Sequence, residues 1–381
     1  EECNGNNMVL SIVANRRELV TPLLDEFVLL KSSLEILNLA ANDIPGTLPS
    51  VYAQLTKLKG LYLWSNELTG ALPTEWMGST GETMKSLSDL EVWGNKLSGT
   101  LPTELGIWNS LERFDMDQNE FTGSLPVELF NNPTLCYFIV GNNDLTGTIP
   151  SEVGKFVILK DFLIGPNPKM SGTLPTEVGL MTELGSLDLE RCNLSGTLPT
   201  EVRQMTGLYN IYLQDNQFAG DNGGGIPTVL SLMTNLAGSV DLSGNPWGGT
   251  IHTELGRLRR IYWLGLGNIN ATGTIPTQLG FLTNLLDIGL ENNNLVGTIP
   301  PILGSKWTSL KYVDISNNPA ISGTLPSELG ISPLLESLHA TNTGLTGAVP
   351  AELCQRVATN GTELQVNCDL NCTCCEDFYC F

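Results

Sequence analysis

Apolar residues recur along this chain in a fixed figure. Leu58, Leu61 and Leu63 are followed by Asn66, Leu68 and Gly70, so the local pattern reads L-x-x-L-x-L-x-x-N-x-L-x-G. A G-x-[LIV]-P segment continues it, with the Gly at Gly46, Gly70, Gly99, Gly123, Gly147, Gly172, Gly196, Gly224, Gly249, Gly273, Gly297, Gly323 and Gly347. The steps between these glycines are 24, 29, 24, 24, 25, 24, 28, 25, 24, 24, 26 and 24 residues. A step this regular defines a stack of repeats that share one core, since a single copy cannot bury its own apolar face. Alternation within L-x-x-L-x-L sends one face of a short strand into that core and the other into solvent. One strand per copy, all running the same way, predicts a parallel sheet. The Gly permits a tight turn, the Pro stops the sheet, and T-E-L-G with its apolar neighbours predicts a short helical return.

Asn recurs at one position after the strand, at Asn42, Asn66, Asn95, Asn119, Asn143, Asn167, Asn216, Asn245, Asn293 and Asn318. Its amide donates and accepts at once, which suits it to satisfy backbone groups where the chain leaves the sheet. The exceptions are Cys192, Ile269 and Thr343. The whole figure, over about residues 34–352, resembles the plant-type extracellular leucine-rich-repeat family, whose mark is the L-x-G-x-[IL]-P continuation. The resemblance implies an α/β solenoid, a right-handed superhelix of about 13 repeats with a concave parallel β-sheet and capped ends. It also implies a buried, unreactive thiol at Cys192, because Cys occupies that position in the family.

Residues 1–33 are expected to cap the first repeat, with a helix through Glu18 to Leu30, and the cysteine-rich segment 353–381 to cap the last. Plant members carry a cysteine pair in the first cap, whereas Cys3 stands alone here. The dense cysteine tail is closer to secreted algal repeat proteins. The 29-residue step contains Trp76 to Lys85, and the 28-residue step contains Asp221, Asn222 and the Gly223–Gly225 triplet. Both read as tolerated surface loops. The triplet lacks the following Lys-Ser/Thr of a phosphate cradle.

Composition then narrows the function. The net charge is −21, which excludes nucleic acid and anionic membrane surfaces as partners. No stretch reaches 18 apolar residues, so no membrane span is expected. The chain opens on Glu1-Glu2 rather than Met, as a processed protein would. Six of nine cysteines, Cys354, Cys368, Cys372, Cys374, Cys375 and Cys380, crowd into the last 28 residues. That cluster lacks His and the paired knuckles of a zinc ribbon, so three disulfides are expected, with no metal and no cofactor. Asn193, Asn270, Asn360 and Asn371 open N-x-[ST] glycosylation acceptors. Together these features point to a secreted, extracellular or cell-surface location.

Chemistry is expected on the outward strand positions. Tyr62, Trp64 and Trp93 form an aromatic cluster beside Glu91, Asp115 and Asp117. Further along, Tyr209, Tyr212, Tyr262 and Trp263 accompany Asp188, Glu190, Asp215 and Asp241. Aromatic faces next to carboxylates suit a sugar, a basic peptide or a protein partner. Asp314 and His339 are expected side by side on neighbouring strands, with Ser316 and Ser337 near. A flat sheet supplies neither a strained nucleophile turn nor an oxyanion hole, so no catalysis is expected there. His252 merely fills the repeat's Pro position. The pairs Asp115–Asp117 and Asp188–Glu190 lack the cleft of a glycosidase and the loop spacing of a calcium site.

The expected function is therefore non-enzymatic binding of a protein or glycan through the concave face. A structural subunit of an extracellular assembly or cell wall is the alternative, with homo-assembly through the ends or through a covalent link at Cys3. Inhibition of a glycosidase and ice binding are further readings. The second would use the threonines of G-T-[LI]-P, at Thr47, Thr100, Thr148, Thr173, Thr197, Thr250, Thr274, Thr298 and Thr324, although structural use within the repeat is favoured.

Overall fold

The apolar positions of the repeat lie where the alternation puts them. A computed structural model describes residues 9–78, 83–221, 224–367 and 370, together with the backbone of 2–3. The chain forms two compact units, Glu1–Asn193 and Leu194–Phe381.

In the first unit the concave sheet runs Glu2–Cys3, Val9–Val13, Ile36–Asn38, Gly60–Tyr62, Asp89–Glu91, Arg113–Asp115, Tyr137–Ile139, Asp161–Leu163 and Ser186–Asp188 in spatial order. The first pair is antiparallel and the others are parallel. The central residue of each three-residue strand points inward, so Leu37, Leu61, Leu90, Phe114, Phe138, Phe162 and Leu187 stand in register at zero exposure. Leu63 and Leu189 are equally buried. Phe138 stacks between Phe114 and Phe162 at centroid distances of 5.8 and 5.9 Å. Such parallel aromatic contacts add to the area they remove from water.

Between successive repeat strands the chain makes a turn and returns through a 3₁₀ helix, for example Thr103–Ile107 and Val127–Asn131, each entered from a proline. Gly106 in such a helix is required by packing: a Cβ there would lie 1.9 Å from the Glu128 carbonyl oxygen of the next copy. A second, five-stranded sheet is built from the segments that follow the bridging Asn, Pro45–Thr47, Glu67–Gly70, Lys96–Thr100, Glu120–Gly123 and Asp144–Leu145. At Gly123 the backbone takes φ +78°, and the Thr100 methyl lies where a Cβ would go. The hydroxyls of Thr69 and Thr122 donate to the Gly46 and Gly99 carbonyls. The repeated Thr of G-T-[LI]-P is a different residue, and at Thr47, Thr100 and Thr148 its methyl packs against the glycine of the next copy.

Asn42, Asn66, Asn95, Asn119 and Asn143 are buried and bridge successive copies. Asn119 donates to Val92 O of the preceding copy and Met116 O of its own, both at 3.1 Å, and accepts from Leu97 N at 3.0 Å. Cys192 replaces the amide with a buried thiol 3.7 Å from Ile164 O. Burial pushes that thiol's pKa up to about 12, so it stays protonated.

The second unit repeats the plan with parallel strands Asn210–Tyr212, Ser239–Asp241, Trp263–Gly265, Asp287–Gly289, Tyr312–Asp314, Ser337–Ala340 and Glu363–Val366. Ile211, Val240, Leu264, Ile288, Val313, Leu338 and Leu364 fill its core. At the Ile269 position no amide is available, and Asn293 accepts from both Ile269 N and Ala271 N. Thr343 donates to Ala340 O instead.

The helix expected through Glu18 to Leu30 is a correction. Only Asp25–Leu30 is helical, as a 3₁₀ segment. Pro22 breaks the stretch, and Arg16 and Glu18 take positive φ. Towards the other end, an α-helix at Ala351–Asn360 closes on Gly361 and feeds a strand, Glu363–Val366, that extends the sheet beyond the last repeat strand. Residues 79–82 and 222–223, and Cys368, Asn371, Cys372, Cys374, Cys375 and Cys380, lie outside the described residues. So does the Cys3 side chain.

Candidate functional site

Three-residue strands whose central side chain is buried leave two outward positions each, and the residue two beyond the strand adds a third row. In the first unit the middle row reads Asn38, Tyr62, Glu91, Asp115, Ile139, Leu163 and Asp188, all half-buried. The next row carries Trp64, Trp93, Asp117 and Glu190, with Gly141 and Gly165 between them. Trp64 and Trp93 stack face to face, 4.8 Å between centroids and 2° from parallel. They are half-buried by each other rather than fully exposed, as is Tyr62, whose ring lies against Gly60. Burial, with Asp89 and Glu91 nearby, raises the Tyr62 pKa.

Carboxylates dominate the rest of the face. Burial is the first cause in each case: it pushes Asp115 and Asp188 up to about 7, and raises Glu91 and Asp161. Hydrogen bonds from Asp117 N to Asp115 and from Glu190 N to Asp188 oppose the shift without cancelling it. Asp117 adds a like charge to Asp188.

In the first unit the sequence pattern missed the row that opens each strand. There Arg113 stands 3.8 Å from Glu91 and 3.9 Å from the centre of the Tyr137 ring, a cation–π contact. Asp89 and Asp161 share that row. The signal was present: these residues lie two before the middle row, on the same strand face.

In the second unit Tyr209 and Tyr262 pair at 6.5 Å, each just ahead of its strand rather than on a strand row. Tyr209 and Trp263 are exposed, and Tyr212 is half-buried. Asp241 is buried and accepts from the Ser243 amide and hydroxyl. The Glu291 side chain lies across Gly267 and Gly289, where side chains would collide with it. Burial raises its pKa, and its Oε2 is a buried oxygen without a hydrogen-bond partner. Asp314 and His339 are in register, 3.6 Å apart, with Ser337 Oγ 2.9 Å from His339 Nε2 and Glu363 at 3.6 Å. Ser337 sits on a regular strand, not on a strained turn.

Of the glycosylation acceptors, Asn193, Asn270 and Asn360 are exposed. Cys354 is half-buried on the Ala351–Asn360 helix, and Cys136 is a half-buried thiol. Among the described residues no group of three or more His, Cys, Asp or Glu could hold a metal ion. No described helix is long and apolar enough to cross a membrane.

One strand per copy, the bridging Asn and the 24-residue step define a leucine-rich-repeat solenoid. A Leucine Rich Repeat family model matches residues 183–205. No curated protein matches the chain in sequence. Among solved structures it is similar to a TDR receptor, at 28% identity and TM-score 0.83, over 94% of this chain and 60% of that one. It is similar to the Arabidopsis receptor kinase HAESA, solved with the peptide hormone IDA and the co-receptor SERK1, at 26% identity and TM-score 0.75, over 95% and 63%. A third likeness is the leucine-rich-repeat protein LIC12759 of Leptospira interrogans, at 27% identity and TM-score 0.73, over 96% and 84%. The chain therefore spans less than two thirds of the two receptors. Its fold is that of leucine-rich-repeat proteins, and its L-x-G-x-[IL]-P continuation is similar to that of the plant-type repeats.

Proposed function

We propose that this chain is a non-enzymatic, secreted or cell-surface recognition protein that binds a protein partner through the concave face of its first unit. One observation carries the reading. Tyr62 and the stacked Trp64–Trp93 pair stand half-open on the outward face of the sheet, opposite the buried core positions and beside Glu91, Asp115 and Asp117. Aromatic anchors of this kind dominate protein interfaces. HAESA, which has the same fold, was solved holding a peptide hormone. In the second unit Tyr209, Tyr212, Tyr262 and Trp263 provide a further contact set, whereas Asp241, expected to join them, is buried against Ser243. The extracellular assignment is supported by the exposed acceptors at Asn193, Asn270 and Asn360 and by the disulfide-bonded state of Cys354. The five other tail cysteines complete the proposed three-disulfide cap.

The test replaces Tyr62, Trp64 and Trp93 together with Ala. Immobilised chain is exposed to secreted proteins from its source, and the retained partner is titrated against both forms. The triple variant should lose about 2 kcal/mol or more of affinity with an unchanged unfolding midpoint. Equal retention by both forms would move the site elsewhere.

A further inference from the structure

We propose that the middle row of the first unit's concave face takes an extended segment of a partner protein with the order basic–x–apolar–x–basic. The proposal rests on the concave-face reading above and narrows it to a ligand class.

The register supplies the spacing. Asp115, Ile139, Leu163 and Asp188 are successive members of one row on four neighbouring parallel strands. Neighbouring strands lie about 4.8 Å apart, so the two carboxylates are about 14 Å apart along the row. An extended chain advances about 3.4 Å per residue, and residues i, i+2 and i+4 project to one side. Residue i+4 is then about 14 Å from residue i. A segment laid across the strands places i over Asp115 and i+4 over Asp188. Its i+2 side chain falls midway, over the half-buried pair Ile139 and Leu163.

Charge fixes the chemistry of i and i+4. Asp115 and Asp188 mark the two ends of the window; Asp117, two residues from Asp115, adds negative charge while accepting from the Asn142 and Gln118 side-chain amides. Within the described rows of this unit Arg113 is the one cation, and it is turned to Glu91 and the Tyr137 ring. Half-buried carboxylates in such surroundings lose hydration that an ammonium or guanidinium group replaces. An acidic or neutral segment supplies no opposite charge to Asp115 or Asp188. The apolar centre favours Leu, Ile or Val at i+2 over a polar side chain.

Three capped peptides test this against the whole chain: Ser-Arg-Ser-Leu-Ser-Arg-Ser, the same peptide with both arginines replaced by citrulline, and Ser-Arg-Arg-Ser-Leu-Ser-Ser. The first should bind about tenfold more tightly than either of the others. Asp115→Asn and Asp188→Asn should each weaken it about fivefold or more, and both keep the oxygen that accepts the local backbone N–H. Equal binding of the citrulline peptide, equal binding of the adjacent-arginine peptide, or indifference to both Asn variants overturns the proposal. Panning random nonapeptides separates it from the broader reading. Enriched sequences that lack the spaced basic pair yet lose binding in W64A/W93A overturn the motif and leave concave-face recognition standing. Enriched sequences indifferent to every concave-face substitution sink both.

Discussion

Asp115 is an acid made weak by its place in the sheet. Its pKa stands at about 7 against an ordinary 3.8, because burial outweighs the help of Arg113 and the Asp117 amide, while Glu91 and Asp117 add like charge. The folded state therefore holds this proton more tightly than the unfolded chain does. The associated stability is complete below about pH 4 and is lost as pH rises through about 7. Asp188 behaves in the same way. The thermal unfolding midpoint should decline across that window, and Asp115→Asn should flatten the decline. An unchanged pH slope in that variant would mean the carboxylate ionises in the fold as freely as in water.

At the scale of the element, the bridging Asn joins one copy to the next. Asn119 serves Val92 O, Met116 O and Leu97 N together, and no water-filled space is needed between the copies. Asn119→Ala leaves these buried groups without their partner. The expected loss is about 2–4 kcal/mol, read from the shift of a urea unfolding curve. Thr122→Ala removes only an exposed hydroxyl bond to Gly99 O and should cost less than about 1 kcal/mol. If the two variants unfold together, the amide bridge contributes little. The G-T-[LI]-P threonines have a comparable local use at most copies, where the methyl covers the next glycine, as Thr100 covers Gly123 and Thr274 covers Gly297.

For the whole molecule, most of the architecture was legible because a repeat writes its register many times over. Leu61, Leu63, Leu187 and Leu189 could be placed in the core from alternation alone. What resisted reading was non-periodic. The helix expected at Glu18 fails at Pro22, where no second copy corrects the pattern. The division after Asn193 leaves no mark in the spacing. At the site, two of the three outward rows were legible, and Arg113 was missed with the third. The Trp64–Trp93 contact was not legible either, because adjacency on a face does not specify how two rings lie. That contact makes the chain its own optical probe. Of the five other tryptophans, Trp263 is exposed and Trp76, Trp108, Trp247 and Trp307 are buried, with Trp76 stacked on Tyr52 and Trp247 on Phe218 rather than on another indole. Two indoles 4.8 Å apart and nearly parallel share their excitation, so circular dichroism should show a paired positive and negative band that vanishes in Trp93→Ala. Any ligand that parts or covers the rings would change this band, so occupancy of the face could be followed by light alone, without a label.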